Sequence, residues 1–240
     1  MERDKAPAEP SESSGPSAPS PSSASSASSA PVPASAPTPL PRGRHRLSRD
    51  EVRRSQRDRL LAGIAETVAE KGYADTTVGD VLRRVHISRE TFYQHFANKE
   101  ECFLAAFDQA SDLLIAVIEE ALGPPGDEVL DRLDRVLAVY LDTLAGFPAL
   151  ARTFLIEVYG AGHAAVSRRI AVQERFAVAI ADVITYGRRW RGGLEPAFIG
   201  RAVIGAVSAL VTAHVDAGEY DRLPALRGQV MELAAAMLDG

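Results

Sequence analysis

The sequence predicts an all-α chain of about nine helices, on three observations. Apolar residues recur at three- and four-residue spacing, side-chain caps and Gly/Pro punctuators bracket those stretches, and no segment sustains period-two alternation. The chain has 240 residues, 46% of them hydrophobic, enough to bury a sizeable core. A single cysteine, Cys102, excludes an internal disulfide and a Cys-rich zinc site. The charged start lacks the apolar core of a signal peptide. The longest uncharged apolar stretch, Ala202 to Val215, is 14 residues, short of the ~20 that cross a membrane. A cytoplasmic protein without membrane contact is expected.

Taken in order, residues 1–41 hold 10 Pro, 12 Ser and 8 Ala, with Val32 and Leu40 the only larger aliphatics besides Met1. Such a composition cannot offset the entropy of ordering a backbone, so a disordered tail is expected. Ser48-Arg-Asp-Glu51 is a capping box that opens the first helix. Leu60, Leu61, Ile64, Ala65 and Val68 mark its apolar face, and Gly72 stops it. Thr77-Val-Gly-Asp80 opens a short second helix to about Arg84. A third starts at Ser88 and runs to about Phe96. Asn98 caps a fourth, from Lys99 to about Leu122. Longer periodic segments follow at about 127–146, 148–159, 163–190, 196–217 and 222–238, separated by Gly and Pro.

Charge is unevenly spread. Residues 1–41 carry 2 basic and 4 acidic groups, residues 42–107 carry 13 and 10, and residues 108–240 carry 12 and 18. Between Arg42 and Arg59 stand 8 arginines, including Arg44, Arg46 and Arg49, against Asp50, Glu51 and Asp58. This basic arm precedes Thr77 to Phe96, a helix, a tight turn and a second helix. That is helix-turn-helix geometry, whose second helix enters a major groove N-terminus first. Ser88, Arg89, Glu90, Thr91, Tyr93, Gln94 and His95 all carry hydrogen-bonding groups. Phe92 and Phe96, four apart, share a face that anchors the helix. Arg89 suits guanine, Gln94 adenine, and Glu90 the amino group of cytosine; Thr91 is a further base-contact candidate. Arginines from 42 to 54 suit phosphates or a minor groove, the other reading being a solvated helix flank.

These residues resemble the TetR/AcrR family of bacterial transcriptional repressors. The likeness is carried by Lys71-Gly-Tyr-Ala-Asp-Thr-Thr-Val78, Ile87-Ser88 and Thr91-Phe-Tyr-Gln-His-Phe-Ala-Asn-Lys-Glu100. It implies a DNA-binding head in 42–98, and a variable helical body in 99–240 that dimerises and binds a small ligand. It further implies phosphate contacts at Thr77, Tyr93, His95 and Lys99, and a homodimer through the helices at about 196–217 and 222–238. The partners expected are double-stranded DNA, a second copy of the chain and a small-molecule effector of unknown identity. No cofactor and no metal are expected. Three positions depart from the family pattern: His86 stands where a turn glycine is usual, Glu90 where a small residue is common, and Gly79 lies inside the second helix.

A pocket between body helices should be mostly apolar with a few placed polar groups. The lining candidates are Phe107, Leu114, Tyr140, Leu144, Phe154, Glu157, Tyr159, Phe176, Ile180 and His214. Glu157 interrupts an apolar run, as a buried acid partnered with Arg152 or as a contact for a cationic ligand. Small and aliphatic residues (Ala202, Ile204, Gly205, Ala206, Ala209, Leu210, Ala213; Val230, Leu233, Ala234, Met237) suit close packing in a four-helix dimer bundle. Enzyme signals are weak. Gly160-Ala-Gly162-His-Ala-Ala165 formally fits a dinucleotide motif, but Ala164 to Tyr186 reads as one helix rather than strand and crossover. The regulator reading competes with an architectural DNA-binding protein that lacks ligand control and would show little sequence discrimination.

Overall fold

A computed structural model describes residues 48–125, 127–186 and 193–239, all within the unit formed by residues 31–240. The 1–41 tail, Arg44 and Arg46 lie outside the described residues. Nine α-helices are present among the described residues, with no strand. The chain is all-α, as its spacing and caps predict.

Local chemistry sets the first boundaries. In α1 (Arg49–Lys71) the Ser48 hydroxyl accepts from the Glu51 amide at 3.1 Å, and the Glu51 carboxylate accepts from the Ser48 amide at 2.7 Å. Gly72, at φ 82°, ends that helix. α2 (Val78–Val85) has a second reciprocal box between Thr77 and Asp80. Its end is the left-handed His86, at φ 51° and ψ 48°, the position where the resemblance expects glycine. Histidine holds that conformation at some cost, which the packing of α2 and α3 around the turn offsets. α3 (Arg89–His95) is capped by Ser88, and α4 (Lys99–Leu122) by Asn98, whose carbonyl oxygen accepts from the Glu101 amide at 2.8 Å.

The body comprises α5 (Val129–Gly146), α6 (Pro148–Leu155), α7 (His163–Thr185), α8 (Pro196–Asp216) and α9 (Leu226–Asp239). Three sequence boundaries shift. The 148–159 segment ends as α-helix at Leu155 and tightens into a 3-10 turn, Glu157–Ala161, before Gly162 turns the chain at φ 95°. The 222–238 segment begins instead with a 3-10 turn, Tyr220–Ala225, because Pro224 has no N–H to continue an α ladder. α7 stops at Thr185, and residues 187–190 of the expected 163–190 helix lie outside the described ones. Gly160 and Gly162 thus end a turn and precede a helix, in no strand context.

One core joins head to body. Leu60, Ile64, Val81 and Phe92 pack with Cys102, Phe103 and Phe107 of α4 and with Phe154, Val158 and Ala165. Two further clusters, around Leu141, Val211 and Leu223 and around Val183, Ile184 and Ile199, hold the rest of the body. Two glycines permit close approach: a Cβ at Gly63 of α1 would clash with Val85 of α2, and one at Gly200 of α8 with the Ala177 carbonyl of α7.

The apolar helix α8 has 21 residues and a mean hydropathy of 1.6, long and apolar enough to cross a membrane on those measures. Its uncharged run is cut short by Arg201, which pairs with Glu174 of α7 at 2.9 Å. Only 28% of its most apolar 18 residues is buried within one chain, although Val207, Val211 and Val215 enter the core.

Candidate DNA interface and ligand cavity

α3 presents the candidate reading face because its two phenylalanines pin the opposite side. Phe92 is fully buried, Phe96 nearly so, and their rings lie 5.8 Å apart. Truncating a side chain such as Phe92 typically costs about 3–5 kcal/mol. Arg89, Glu90, Tyr93 and Gln94 are exposed together on the other side. Tyr93 is 50% exposed, its ring edge-on to Phe92 at 5.4 Å, so the phenol projects outward. Ser88 and Thr91 are partly committed: the Ser88 hydroxyl accepts from the Thr91 amide at 3.1 Å and lies 2.9 Å from the Thr91 hydroxyl. His95 is half-buried, and burial, reinforced by Arg53 and Arg57, holds its imidazole below the usual range. A neutral ring offers a phosphate one N–H rather than a charge.

The expected phosphate contacts divide. Thr77 is exposed, yet its N–H and hydroxyl both donate to Asp80, at 2.9 and 2.6 Å, so they serve the α2 cap. Lys99 is engaged within the chain. Its ammonium donates to the carbonyls of Tyr73 and Thr76, at 2.7 and 2.8 Å, and sits 4.1 Å from the centre of the Tyr73 ring. Two of its three protons are thus occupied, and burial lowers its pKa. It braces the start of α4 against the α1–α2 loop, a contact separated by 26 residues that short-range pattern cannot reveal.

The basic stretch also divides. Arg49, Arg53 and Arg54 are exposed on α1. Arg57 lies over the Phe96 ring at 5.0 Å, and Arg59 donates to the Val85 carbonyl at the end of α2. Those two hold the head together, the second where the helix macrodipole favours a cation.

Below the head, two contacts tie it to the body. The Thr153 hydroxyl of α6 donates to the Ala65 carbonyl of α1 at 2.7 Å, fully buried. The Glu157 carboxylate accepts from the Tyr73 amide at 3.0 Å, with Arg152 at 3.7 Å from its other oxygen. Of the two readings of Glu157, partnered acid or ligand contact, the first is the arrangement found.

A cavity of about 300 Å³ lies inside the body between α4, α5, α6, α7, α8 and α9. Of the sequence candidates, Phe107, Leu114, Tyr140, Leu144, Phe154, Phe176 and Ile180 line it. Glu157, Tyr159 and His214 do not. Glu157 faces the head, Tyr159 is 58% exposed on the 3-10 turn, and His214 pairs with Glu219 at 2.9 Å. The candidates omit much of the apolar wall, Ile115, Ile118 and Val207 among it, and also the polar Arg169, Gln173 and Ser208. The signal was the stripe Arg169, Val172, Phe176, Ile180 and Val183, spaced three and four apart on α7, which puts Arg169 rather than its neighbour Arg168 on the inner face. Burial pushes the Tyr140 phenol up to about 12, against the opposing effect of Arg169.

This fold and site define a class: an all-helical protein with a helix-turn-helix head carried on a body that encloses an apolar cavity. Residues 60–106 match the model described as bacterial regulatory proteins, tetR family. A curated relative, the uncharacterized HTH-type transcriptional regulator YxbF of Bacillus subtilis, is 32% identical over 108 residues, 45% of this chain and 28% of that protein. The chain spans well under half the length of the first curated relatives it matches, from 28% to 42%. A longer match is the fatty acid metabolism regulator protein of Bacillus subtilis, 22% identical over 72% of this chain and 91% of that one. Among solved structures, the transcriptional regulator FadR from Bacillus subtilis in complex with stearoyl-CoA shares the fold, with a TM-score of 0.66 and 21% identity over 73% of this chain and 95% of that chain.

Proposed function

We propose that this protein is a cytoplasmic, homodimeric transcriptional regulator that binds a near-palindromic operator and is released from it by a small molecule. The observation that carries this reading is the double role of α4. Its first turns, through Cys102, Phe103 and Phe107, belong to the head's core, while Phe107, Leu114, Ile115 and Ile118 line the cavity. One rigid element therefore meets both the DNA-facing unit and any occupant. Filling the cavity favours a tilt of α4 in which two heads no longer match both half-sites, a population shift of the kind known for helix displacements.

Dimerisation uses α8 and α9. Phe198 and Leu210 of α8 are 56% and 41% exposed, and Leu233 of α9 is 48% exposed. Val230 and Ala234, which the sequence stripe includes, are buried in their own chain, so α9 offers its Leu233 side. On a two-fold dimer, the recognition helices fall about one DNA turn or a small multiple apart. The head spans 42–98 and the body 99–240.

The reading is tested by selecting bound sequences from a random DNA pool with the full chain. Enrichment of an inverted repeat supports it. Binding without an enriched motif, falling steeply with salt, favours the architectural alternative instead.

A further inference from the structure

The geometry points to a single-chain amphiphile with a carboxylate head as the cavity's occupant, the carboxylate on Arg169 and the chain along the apolar walls. This deepens the effector reading above and rests on it.

Arg169 is 6% exposed and stands in the cavity wall. The other arginines of α7 meet carboxylates: Arg168 lies 2.9 Å from Asp108, and Arg175 lies 3.9 Å from Asp112. Arg169, the buried arginine of α7, has only neutral acceptors among the described residues: the Tyr159 hydroxyl at 3.2 Å, the Phe154 carbonyl at 3.2 Å, the Ser208 hydroxyl at 3.0 Å and the Thr212 hydroxyl at 3.5 Å. The Tyr159 ring, 5.5 Å away, adds a cation–π contact but no counter-charge. Its positive charge is hydrogen-bonded but not neutralised.

The groups around it are donors. Ser208 already accepts from Arg169 and, at 2.9 Å, from the Gln173 side-chain amide, which leaves its own hydrogen for a further acceptor. Tyr140 stays protonated across the ordinary pH range and lines the same cavity. A guanidinium with two hydroxyl donors selects a group that only accepts and carries negative charge, which is a carboxylate. An ammonium head would face Arg169 at low dielectric and be repelled. Past this polar end the walls are Leu114, Ile118, Phe176, Ile180 and Val207. With a volume near the lower end for ligand pockets, the cavity suits one narrow chain. A thioester removes the charge that Arg169 would meet.

The test is calorimetric titration of the full chain with palmitate, methyl palmitate, palmitoyl-CoA and cetyltrimethylammonium, each as monomer. Palmitate is expected to bind on the order of 10- to 100-fold more tightly than the methyl ester, the range for a charge-assisted hydrogen bond. Arg169→Gln should lose that preference while keeping affinity for the ester, and Arg169→Lys should retain part of it. If Arg169→Gln fails to fold, the head-group series on the unaltered chain decides. Equal binding of palmitate and its ester, or tighter binding of palmitoyl-CoA, overturns the role of Arg169 and leaves the cavity as an effector site. Binding by none of the four overturns both.

Discussion

Glu157 and Tyr73 stand 84 residues apart in sequence, yet the carboxylate of the first accepts the backbone N–H of the second at 3.0 Å. The bond fixes the loop after α1 to the turn after α6, so the head's position follows the body. Glu157→Ala should cost about 1–2 kcal/mol, the loss of a part-buried hydrogen bond to a charged acceptor. Glu157→Gln, which keeps an acceptor, should cost less. Chemical denaturation of the two variants checks the order; an alanine variant as stable as the parent removes the tie.

Lys99 supports the same loop from α4. Lys99→Met should lower both the melting temperature and the affinity for every DNA sequence, because the carbonyls of Tyr73 and Thr76 lose their donor. Unchanged melting with weakened DNA binding would mean that the ammonium serves phosphate rather than the loop.

On α3, Arg89 and Tyr93 should behave differently although both are exposed. Arg89→Ala should relax preference at one position per half-site, costing about 1–3 kcal/mol against the preferred base. Tyr93→Phe should weaken binding to all sequences alike. Repeating the sequence selection with both variants separates base reading from phosphate contact; an unchanged motif for Arg89→Ala contradicts its role.

Legibility in the sequence tracks the range of the interactions. Ser48 with Glu51 and Thr77 with Asp80 act over three residues, so the helix starts can be read directly. Phe92 and Phe96 likewise declare the buried side of α3 by spacing. Sequence does not show that Lys99 braces the loop after α1, and it puts Glu157 in the cavity, because their partners arrive through the fold. Residue type alone puts Tyr159 and His214 in the cavity, and it says nothing about the side of a turn or helix they occupy. Arg169 escapes notice beside Arg168, since only helical phase distinguishes the buried arginine from its more exposed neighbour.

Asp80 gives the head an acid-sensitive joint. The hydrogen bond from Lys71, then those from the Thr77 hydroxyl and amide, holds its carboxyl well below the usual carboxylate range. A depressed folded-state pKa means that the stabilisation is complete above the unfolded value, about 4, and is lost as pH falls towards the folded value. Asp80→Asn should therefore melt below the parent at neutral pH, and the gap should narrow under about pH 4. Melting curves across pH check this; a gap independent of pH would assign the effect to packing.

The link between cavity and head is tested most directly without any ligand. Leu114 sits on α4 in the cavity wall, and Leu114→Trp places bulk where an effector would lie. The measurement is the dissociation constant of the variant for the palindrome selected by the parent chain, alongside its melting temperature and dimer mass. The account predicts binding weaker by on the order of tenfold in a folded dimer, about 1.4 kcal/mol. A folded Leu114→Trp dimer that binds the palindrome as tightly as the parent would contradict it.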